Sequence, residues 1–439
     1  MSATVNELPL SYTQRYFLGV IAQEGFDPTW QHVAFAIQLG QELETARVED
    51  VVAKLEARHP VLATRLAYRD GDPYLMDCSG TGRACQILDL TAGTEAEFGV
   101  AVARAIDTPF DLLRGPAWRL VVARGPKGRN VVAFVCHHLV GDMVSNWMLL
   151  KDFGILYFGG ELDPQTEPYT EFVRAERDLL AGDGWEQRLG FWRNALDGAS
   201  PLLRVERRPD PGELGAGSVL RVAIEQGAGE SLTSTARGLR VTPLILLCGA
   251  TFAAVERATG QEDVLMGLVT DTRGARFART VGAFSDLLFV RDTPRVGQDE
   301  GARLTALRNQ FYSGWQHHLP FASLREQVPA FSVGGTVALN PCDLYLNFIP
   351  MKTSSDWWNL IAPYRDESTD IYIARERMGS PTRRLLGPLY FVQYLLAPDL
   401  TGVLVVHRQE PLETLNQSVA AELGTSLKRV LAPATPTPA

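Results

Sequence analysis

The chain is predicted to be an α+β protein of two lobes, and three observations lead to this fold class. Its 439 residues exceed the roughly 100–200 residues of one typical domain. Both halves mix strand and helix patterns without the regular strand–helix alternation of a doubly wound sheet. Residues 197–217, rich in Pro, Gly and Arg, are the best candidate for a lobe boundary. We assign lobes to residues 1–180 and 181–431, and expect the proline-rich tail 432–439 to be disordered.

Capping residues and apolar spacing predict the elements of the first lobe. Ser11 and Gln14 form a capping box before an apolar run, which predicts a helix over 11–24. Apolar residues three and four apart after Thr45 predict a second helix, capped by that threonine and ended by Pro60. The other predicted elements are strand 33–39, hairpin strands 62–68 and 73–77, helix 94–105, antiparallel strands 118–123 and 130–136, and helices 144–158, 169–180 and 185–196.

The second half repeats this mixed character. Apolar runs bounded by turn residues predict its strands, and longer segments with helical periodicity predict its helices. The predicted strands are 219–224, 263–269, 287–291, 343–348, 388–396 and 402–407, and the predicted helices are 242–259, 300–316 and 411–431.

Composition excludes several classes of partner. A net charge of −9 and a pI near 5.4 argue against binding to nucleic acid through its phosphates. Five scattered cysteines without CxxC spacing favour a reducing compartment, so we expect a cytoplasmic protein with free thiols. No secretory leader pattern and no apolar run of about 18 residues is present, so we expect no membrane span.

The stretch from Val131 to Ser145 carries the strongest indication of chemistry. A short apolar run predicts a buried strand, and His137, His138 and Asp142 follow before the next helix. His138 is the candidate general base, because an imidazole with a pKa near 6.5 can accept a proton around neutral pH. His137 should point to the opposite side of the strand, and we interpret it as structural.

Three further assignments follow from the residues around these histidines. Asp142 is able to orient His138 as in a hydrolytic triad, and Ser145 is expected to cap the following helix. A second pair, His317 and His318, raises the question of a metal site. Adjacent histidines diverge and no carboxylate or cysteine spacing completes a ligand set, so we predict no metal.

A basic cluster in the second half is either an acceptor for an acidic partner or a solvated face. Its members are Arg375, Arg377, Arg383 and Arg384.

The sequence from His137 to Ser145 resembles the HHxxxDG-x-S stretch of nonribosomal peptide synthetase condensation domains. HHxxxD alone is a weak motif, but further segments resemble that family's motifs in the family's order over more than 300 residues. These segments are Leu10–Arg15, Arg58–Arg65, Pro109–Pro116, Tyr169–Phe172, Val281–Asp286 and His318–Leu324.

The resemblance implies two chloramphenicol-acetyltransferase-like lobes in a V-shaped pseudo-dimer with a central tunnel. A free-standing, monomeric enzyme of natural-product or antibiotic biosynthesis is implied, with no cofactor of its own. It would join an acyl or aminoacyl group, held as a thioester on the 4'-phosphopantetheine of a carrier protein, to a soluble or carrier-bound amine or hydroxyl. For Asp142 the resemblance implies a buried ion pair with an arginine of the second lobe. Arg273 is the first candidate and Arg279 the second.

Two departures from the family pattern affect substrate choice or activity. Met143 replaces the glycine of the motif, and would be strained by roughly 1–2 kcal/mol if the loop needed a positive φ there. Asp286 replaces an asparagine and places a carboxyl group near the expected channel. Together with Ser145 and Gly282 these residues are the substrate-channel candidates. The departures leave open a catalytically silent carrier-docking or recruitment domain, and an epimerase relative is the remaining alternative.

Overall fold

A computed structural model describes most of the chain and divides it into two compact units. The first unit comprises residues 1–182, 271–285 and 354–375, and the second comprises 183–270, 286–353 and 376–439. The residues that the structure describes are 7–22, 27–39, 42–79, 84–164, 167–205, 217–222, 227–295, 297–333, 336–337, 342–350, 371–373, 390–397, 399–408 and 412–431.

The first unit contains five α-helices and eight strands among its described residues. The helices are α1 (Tyr12–Ile21), α2 (Thr45–Arg58), α3 (Glu95–Asp107), α4 (Met143–Tyr157) and α5 (Tyr169–Ala181). The strands are β1 (Glu7–Pro9), β2 (His32–Leu39), β3 (Thr64–Arg69), β4 (Asp72–Asp77), β5 (Cys85–Asp89), β6 (Trp118–Arg124), β7 (Asn130–His137) and, late in the sequence, β14 (Ile371–Ile373).

Strand β7 lies at the centre of the larger sheet of the first unit. The strand order is β14-β2-β7-β6-β5, with β7 antiparallel to both β2 and β6, and every residue of β7 is buried. Because side chains alternate across a strand, its two faces enter different cores. Val135 packs with Phe98 of α3 on one face, whereas Phe134 contacts Phe153 of α4 on the other. Consecutive residues at the end of β7 are thereby directed to opposite sides of the sheet.

A smaller antiparallel sheet of order β1-β4-β3 completes the strands of the first unit. Its hairpin turns at Asp70 and Gly71, both of which have positive φ. Glycine adopts this conformation without cost and aspartate is among the residues that tolerate it.

The second unit contains a six-stranded mixed sheet of order β10-β9-β13-β15-β16-β8 and a two-stranded ribbon, β11-β12. Strand β13 is parallel to β9 and β15, whereas β16 is antiparallel to β15 and β8. Its strands are β8 (Gly217–Val222), β9 (Val264–Asp271), β10 (Ser285–Asp292), β11 (Ser332–Val333), β12 (Thr336–Val337), β13 (Leu344–Pro350), β15 (Tyr390–Ala397) and β16 (Asp399–Arg408). Its helices are α6 (Gly184–Ala195), α7 (Ala228–Gly238), α8 (Pro243–Thr259), α9 (Glu300–Gln316), α10 (Phe321–Leu324) and α11 (Glu413–Leu431).

The long elements match the sequence predictions, and the differences have physical causes. Helix α7 and strand β5 were not predicted, because α7 is interrupted by polar residues and glycine and β5 is a short, partly exposed edge strand. Thr45 is the first residue of α2 rather than its cap, since Glu44 holds the capping position without a side-chain bond. The predicted disordered tail and the cluster of Arg375, Arg377, Arg383 and Arg384 lie outside the described residues.

The five cysteines form no disulfide, and all except Cys85 are buried. Among the described residues, no single helix has the length and apolar composition needed to cross a membrane. The consecutive helices α7 and α8 satisfy the length and composition test only as a pair, with a bend of 98° between them.

Candidate active site

His137 ends strand β7 and points into the interior of the first unit. Its side chain is 2% exposed, and its Nδ1 accepts a hydrogen bond of 3.1 Å from the backbone N–H of Leu139. Its ring faces His32 and Phe110, with centroid distances of 6.4 and 6.5 Å. Burial lowers the pKa of His137 to about 3, and the neighbouring His32 and His138 act in the same direction. The ring is therefore neutral at pH 7. The structural role of His137 stays a prediction.

His138 leaves the strand on the opposite side. Its backbone N–H donates to the carbonyl oxygen of Gln31 at 2.8 Å, and its ring stacks on Phe17 of α1 with centroids 4.6 Å apart. Nδ1 is buried and has no hydrogen bond of normal geometry among the described residues. Burial lowers the pKa of His138 to about 4, although the Asp142 carboxylate and the Gly141 backbone partly offset this effect. At neutral pH the ring carries no charge, so it can accept a hydrogen bond or a proton.

Asp142 and Arg273 form a buried ion pair at the end of the histidine loop, the segment from His137 to Asp142. The guanidinium donates Nη2–H to Asp142 Oδ1 at 2.7 Å and Nη1–H to Oδ2 at 2.9 Å, and the two side chains are 1% and 2% exposed. Backbone N–H groups of Ser145 (2.8 Å) and Phe284 (3.0 Å) complete the shell of the carboxylate. Burial alone would raise the pKa of Asp142, but the Arg273 charge and these hydrogen bonds hold it below its usual value.

The position of Arg273 differs from the expectation that it belongs to the second lobe. The segment from Asp271 to Ser285 groups with the first unit, so the ion pair is internal to that unit. Arg273 also donates to the Thr280 carbonyl at 3.0 Å and to Asp271 at 2.8 Å, and lies 4.2 Å from the centre of the Phe284 ring. Arg279, the second candidate, pairs instead with Asp163 at 2.8 Å on the surface.

The geometry excludes a triad-like role for Asp142. Both carboxylate oxygens are bonded to Arg273 and backbone N–H groups, and Nδ1 of His138 makes no hydrogen bond to them. Asp142 is also the N-cap of α4, because its side chain accepts the Ser145 N–H. The expectation that Ser145 caps this helix is therefore wrong.

Ser145 instead joins α4 to the segment that contains Gly282. Its hydroxyl donates to the Gly282 carbonyl at 2.9 Å, and accepts from the Gly282 N–H at 3.1 Å and from Arg273 at 2.7 Å. Ser145 is fully buried. Ser145 and Gly282 thus bond to each other and to Arg273, which gives both residues a scaffolding position. Their predicted place in a substrate channel stays a prediction.

Gly282 is required by its contact with Tyr169. A Cβ at position 282 would lie 2.1 Å from Cδ2 of the Tyr169 ring, far inside van der Waals contact. The Tyr169 hydroxyl lies 3.0 Å from the Ala283 carbonyl, to which it donates, and 3.0 Å from the Ser11 Oγ. Tyr169 was recognised only as part of a motif. Its role as a junction between α5, α1 and residues 282–283 depends on contacts that sequence spacing does not reveal.

Met143 occupies the first helical position of α4, and is not among the described residues with positive φ. The loop therefore imposes no left-handed conformation at the position where the family has glycine. The strain anticipated for a methionine is absent, and the substitution changes side-chain volume rather than backbone geometry.

Asp286 lies in the second unit, where it organises the segment from His318 to Phe321. Its carboxylate accepts the Phe321 N–H (3.2 and 3.3 Å) and the Leu287 N–H (2.8 Å), and its Oδ2 lies 3.4 Å from His318 Nε2. His317 points elsewhere, with Nδ1 2.8 Å from the Ser313 carbonyl oxygen and its ring stacked on Phe191. Within the described ranges no three metal-ligating side chains converge, and the predicted lack of a metal remains a prediction.

Comparison with solved structures defines the fold. The two-lobed α+β fold is that of SgcC5 from Streptomyces globisporus (TM-score 0.75, 20% identity, covering 97% of this chain and 100% of that one). It is also that of the condensation domain of the Monacolin K polyketide synthase MokA (TM-score 0.79, 18% identity, 98% of both chains). The X-domain from teicoplanin biosynthesis is similar as well (TM-score 0.75, 17% identity, 98% and 96%). The predicted chloramphenicol-acetyltransferase-like fold class is thereby confirmed.

Residues 5–332 match the family model of the condensation domain, and the chain belongs to this family. Tyrocidine synthase 3 of Brevibacillus parabrevis is 25% identical over 302 residues, 68% of this chain and 5% of that protein. Bacitracin synthase 3 of Bacillus licheniformis is 24% identical over 333 residues, 73% of this chain and 5% of that protein. The chain thus spans a small part of the length of these peptide synthetases.

Proposed function

We propose that this protein is an acyltransferase that forms an amide or ester bond in natural-product biosynthesis. The donor is an acyl or aminoacyl thioester on the phosphopantetheine of a carrier protein, and the acceptor is an amine or a hydroxyl. The observation that carries the proposal is the neutral imidazole of His138 directly after the buried central strand β7, in a chain of the condensation-domain family. A monomeric, free-standing protein in the cytoplasm remains the prediction made from the sequence.

In the proposed reaction the acceptor nitrogen or oxygen attacks the thioester carbonyl carbon, and the new C–N or C–O bond forms. His138 accepts the proton that the nucleophile loses. Because Nδ1 is buried, we assign acceptance of this proton to Nε2. The C–S bond then breaks, and the proton passes from the imidazolium to the departing phosphopantetheine sulfur. The ring returns to its neutral form.

The lowered pKa of His138 determines how this step works. An imidazolium with a pKa of about 4 is more acidic than an ordinary one, so the neutral ring is a weaker base than an ordinary imidazole. Full removal of the proton before attack is therefore unfavourable. We propose that His138 first orients the nucleophile through a hydrogen bond and accepts its proton as the new bond forms, which fits general-base catalysis of a concerted kind.

The experiment that tests the proposal offers a loaded donor carrier to a panel of amine and hydroxyl acceptors and detects products by intact mass. We expect a product whose mass equals acyl group plus acceptor, together with the free carrier thiol. Hydrolysed donor alone, with every acceptor left unchanged, would contradict the proposal.

A second candidate function is a catalytically silent domain that recruits a partner protein. One solved structure with the same fold is a complex of the X-domain and OxyB from teicoplanin biosynthesis, so the fold also occurs in a domain that binds another protein (TM-score 0.72). Met143 is the sequence departure beside the proposed base. Tight binding of a carrier or partner without any amide or ester product would favour this candidate.

A further inference from the structure

The loop from His137 to Asp142 is held at two separate places. At its far end, Asp142 is fixed by the ion pair with Arg273. At its near end, the backbone immediately after His138 contacts helix α1. Here the side chain of Gln14 donates its Nε2–H to the carbonyl oxygen of Leu139 at 2.5 Å, and both residues are buried.

Gln14 takes part in two sets of hydrogen bonds, the capping box of α1 and the bond to Leu139, and they use different atoms. Its Oε1 accepts the Ser11 N–H at 2.9 Å, while its own N–H donates to Ser11 Oγ at 3.1 Å, which forms the capping box of α1. A glutamate satisfies this box equally well. The bond from Nε2 to Leu139 needs a donor, however, and a carboxylate has none. The hydrogen bond to the histidine loop therefore requires an amide at position 14, whereas the helix cap does not.

Phe17 lies three residues after Gln14, on the same face of α1. Its ring stacks on His138 with centroids 4.6 Å apart and planes 27° apart. One face of the imidazole is thereby covered by an apolar surface. Helix α1 thus contacts both the ring of His138 and the backbone carbonyl of the next residue, Leu139.

Helix α1 is itself fixed at its N-terminus. The Ser11 Oγ lies 3.0 Å from the Tyr169 hydroxyl, and the Tyr12 N–H donates to Glu176 Oε2 at 2.8 Å. Both partners belong to α5. Because Gln14 and Phe17 sit on a helix held at its start, their contacts can restrain the loop rather than follow it.

We propose that Gln14 and Phe17 are positioning residues for His138, and that α1 is a second anchor of the histidine loop, in addition to the Asp142–Arg273 ion pair. The inference rests on the proposed function, in which His138 is the residue that contacts the nucleophile. Gln14 fixes the peptide plane between Leu139 and Val140, one residue beyond His138, and Phe17 sets the orientation of the ring and excludes water from one face. An error of about 1 Å in such a placement costs on the order of 10²-fold in rate.

The first variant is Gln14→Glu, which keeps the acceptor of the capping box and removes the donor to Leu139. At pH 8 we expect kcat to fall about 10–100-fold with KM changed less than about 3-fold. Protonation of the introduced carboxyl restores a donor, so activity relative to wild type should recover as the pH falls toward 5. A merely structural role would give no such recovery.

The matched control is Glu97→Gln in α3. Glu97 holds the corresponding position in the capping box with Thr94, and its carboxylate accepts the Thr94 N–H at 2.8 Å. This control makes the reverse exchange of amide and carboxylate at an exposed position of another helix. We expect wild-type activity at every pH.

The second variant is Phe17→Leu, read by NMR titration of histidine-labelled protein, with the His138 resonance assigned by its loss in His138→Ala. Removal of the stacked ring admits water, so we expect the pKa of His138 to rise by about one unit toward its ordinary value. This measurement needs no substrate. It therefore separates failure of the anchor from failure of the proposed function.

Two results would overturn the inference. One is wild-type kcat at pH 8 in Gln14→Glu, in an enzyme that His138→Ala inactivates. The other is an unchanged His138 titration in Phe17→Leu, whatever the enzymatic activity of the protein.

Discussion

Replacement of Arg273 by methionine removes the cation of the buried ion pair while keeping much of the side-chain volume. The guanidinium makes two bonds to Asp142, and further bonds to Ser145 Oγ, Asp271 and the Thr280 carbonyl. Methionine can replace none of them. The Asp142 carboxylate would keep only its two backbone N–H donors, and its charge would be left without a counter-ion in the protein interior.

The expected loss of stability follows from the cost of a buried charge that has lost its partner, which is typically about 3–5 kcal/mol. We expect Arg273→Met to lower the free energy of unfolding by about 4 kcal/mol. The double variant Asp142→Leu/Arg273→Met removes both charges and should lose less than the sum of the two single variants, because no unpaired charge remains.

Urea unfolding followed by tryptophan fluorescence measures these changes in wild type and variants. The control is Arg279→Met, which breaks the ion pair with Asp163, whose members are 56% and 65% exposed. Exposed pairs contribute about 0–1 kcal/mol, so the control should unfold close to wild type. If Arg273→Met and Arg279→Met are equally stable, the reasoning that the buried network holds the loop is refuted.

Three further outcomes are expected. Gly282→Ala forces a Cβ against the Tyr169 ring and should lower the free energy of unfolding in urea by about 3 kcal/mol or more. The control Gly99→Ala, in a helix where an added Cβ meets no described atom within 4 Å, should raise it by about 0.5–1 kcal/mol, and equal effects would contradict a steric clash at position 282. With a hydroxyl acceptor, kcat/KM should not fall near pH 6.5 and should fall only near pH 4, because the pKa of His138 is lowered to about 4. A midpoint between pH 6 and 7 would contradict the lowered pKa of His138. The pKa of His137 is lowered to about 3, so the unfolded chain binds this proton at a higher pH than the folded protein, and folding stability is lost as the pH falls from about 6.5 toward 3. His137→Leu should lose less stability over that interval. An identical loss in both proteins would count against the burial of this ring.

The sequence was sufficient where local rules decide the structure. The Ser11–Gln14 capping box, the helix from Glu300 to Gln316 and the strand before His137 follow from capping residues and periodicity. The opposite directions of His137 and His138 follow from alternation along one strand. These features depend on residues that are close together in the chain.

The contacts that complete the candidate site join residues far apart in the chain, and local patterns do not specify them. Arg273 reaches Asp142 across 131 residues, and the motif resemblance identified the pair but not the unit to which its arginine belongs. The contact between Gly282 and Tyr169 and the bond from Gln14 to Leu139 had no local indication, because glycine, tyrosine and glutamine also have purely local roles at such positions.

Ser145 shows how a local rule fails when a tertiary contact competes with it. Serine is a preferred N-cap, and the polar residues before α4 allowed several starts for the helix. Asp142 occupies the capping position, because its carboxylate accepts hydrogen bonds from the Ser145 N–H and from Arg273 at the same time. The serine hydroxyl then became available for Gly282.

The central claim is that His138 accepts the proton of the nucleophile, and a single-turnover rate measurement tests it most directly. Loaded donor carrier and acceptor are mixed with excess wild type, His138→Ala or the control His317→Gln, and the acylated product is followed over time. General-base catalysis predicts a rate about 10²–10⁴-fold lower for His138→Ala, with wild-type rates for the control. A folded His138→Ala variant that makes the product at the wild-type rate would contradict the account.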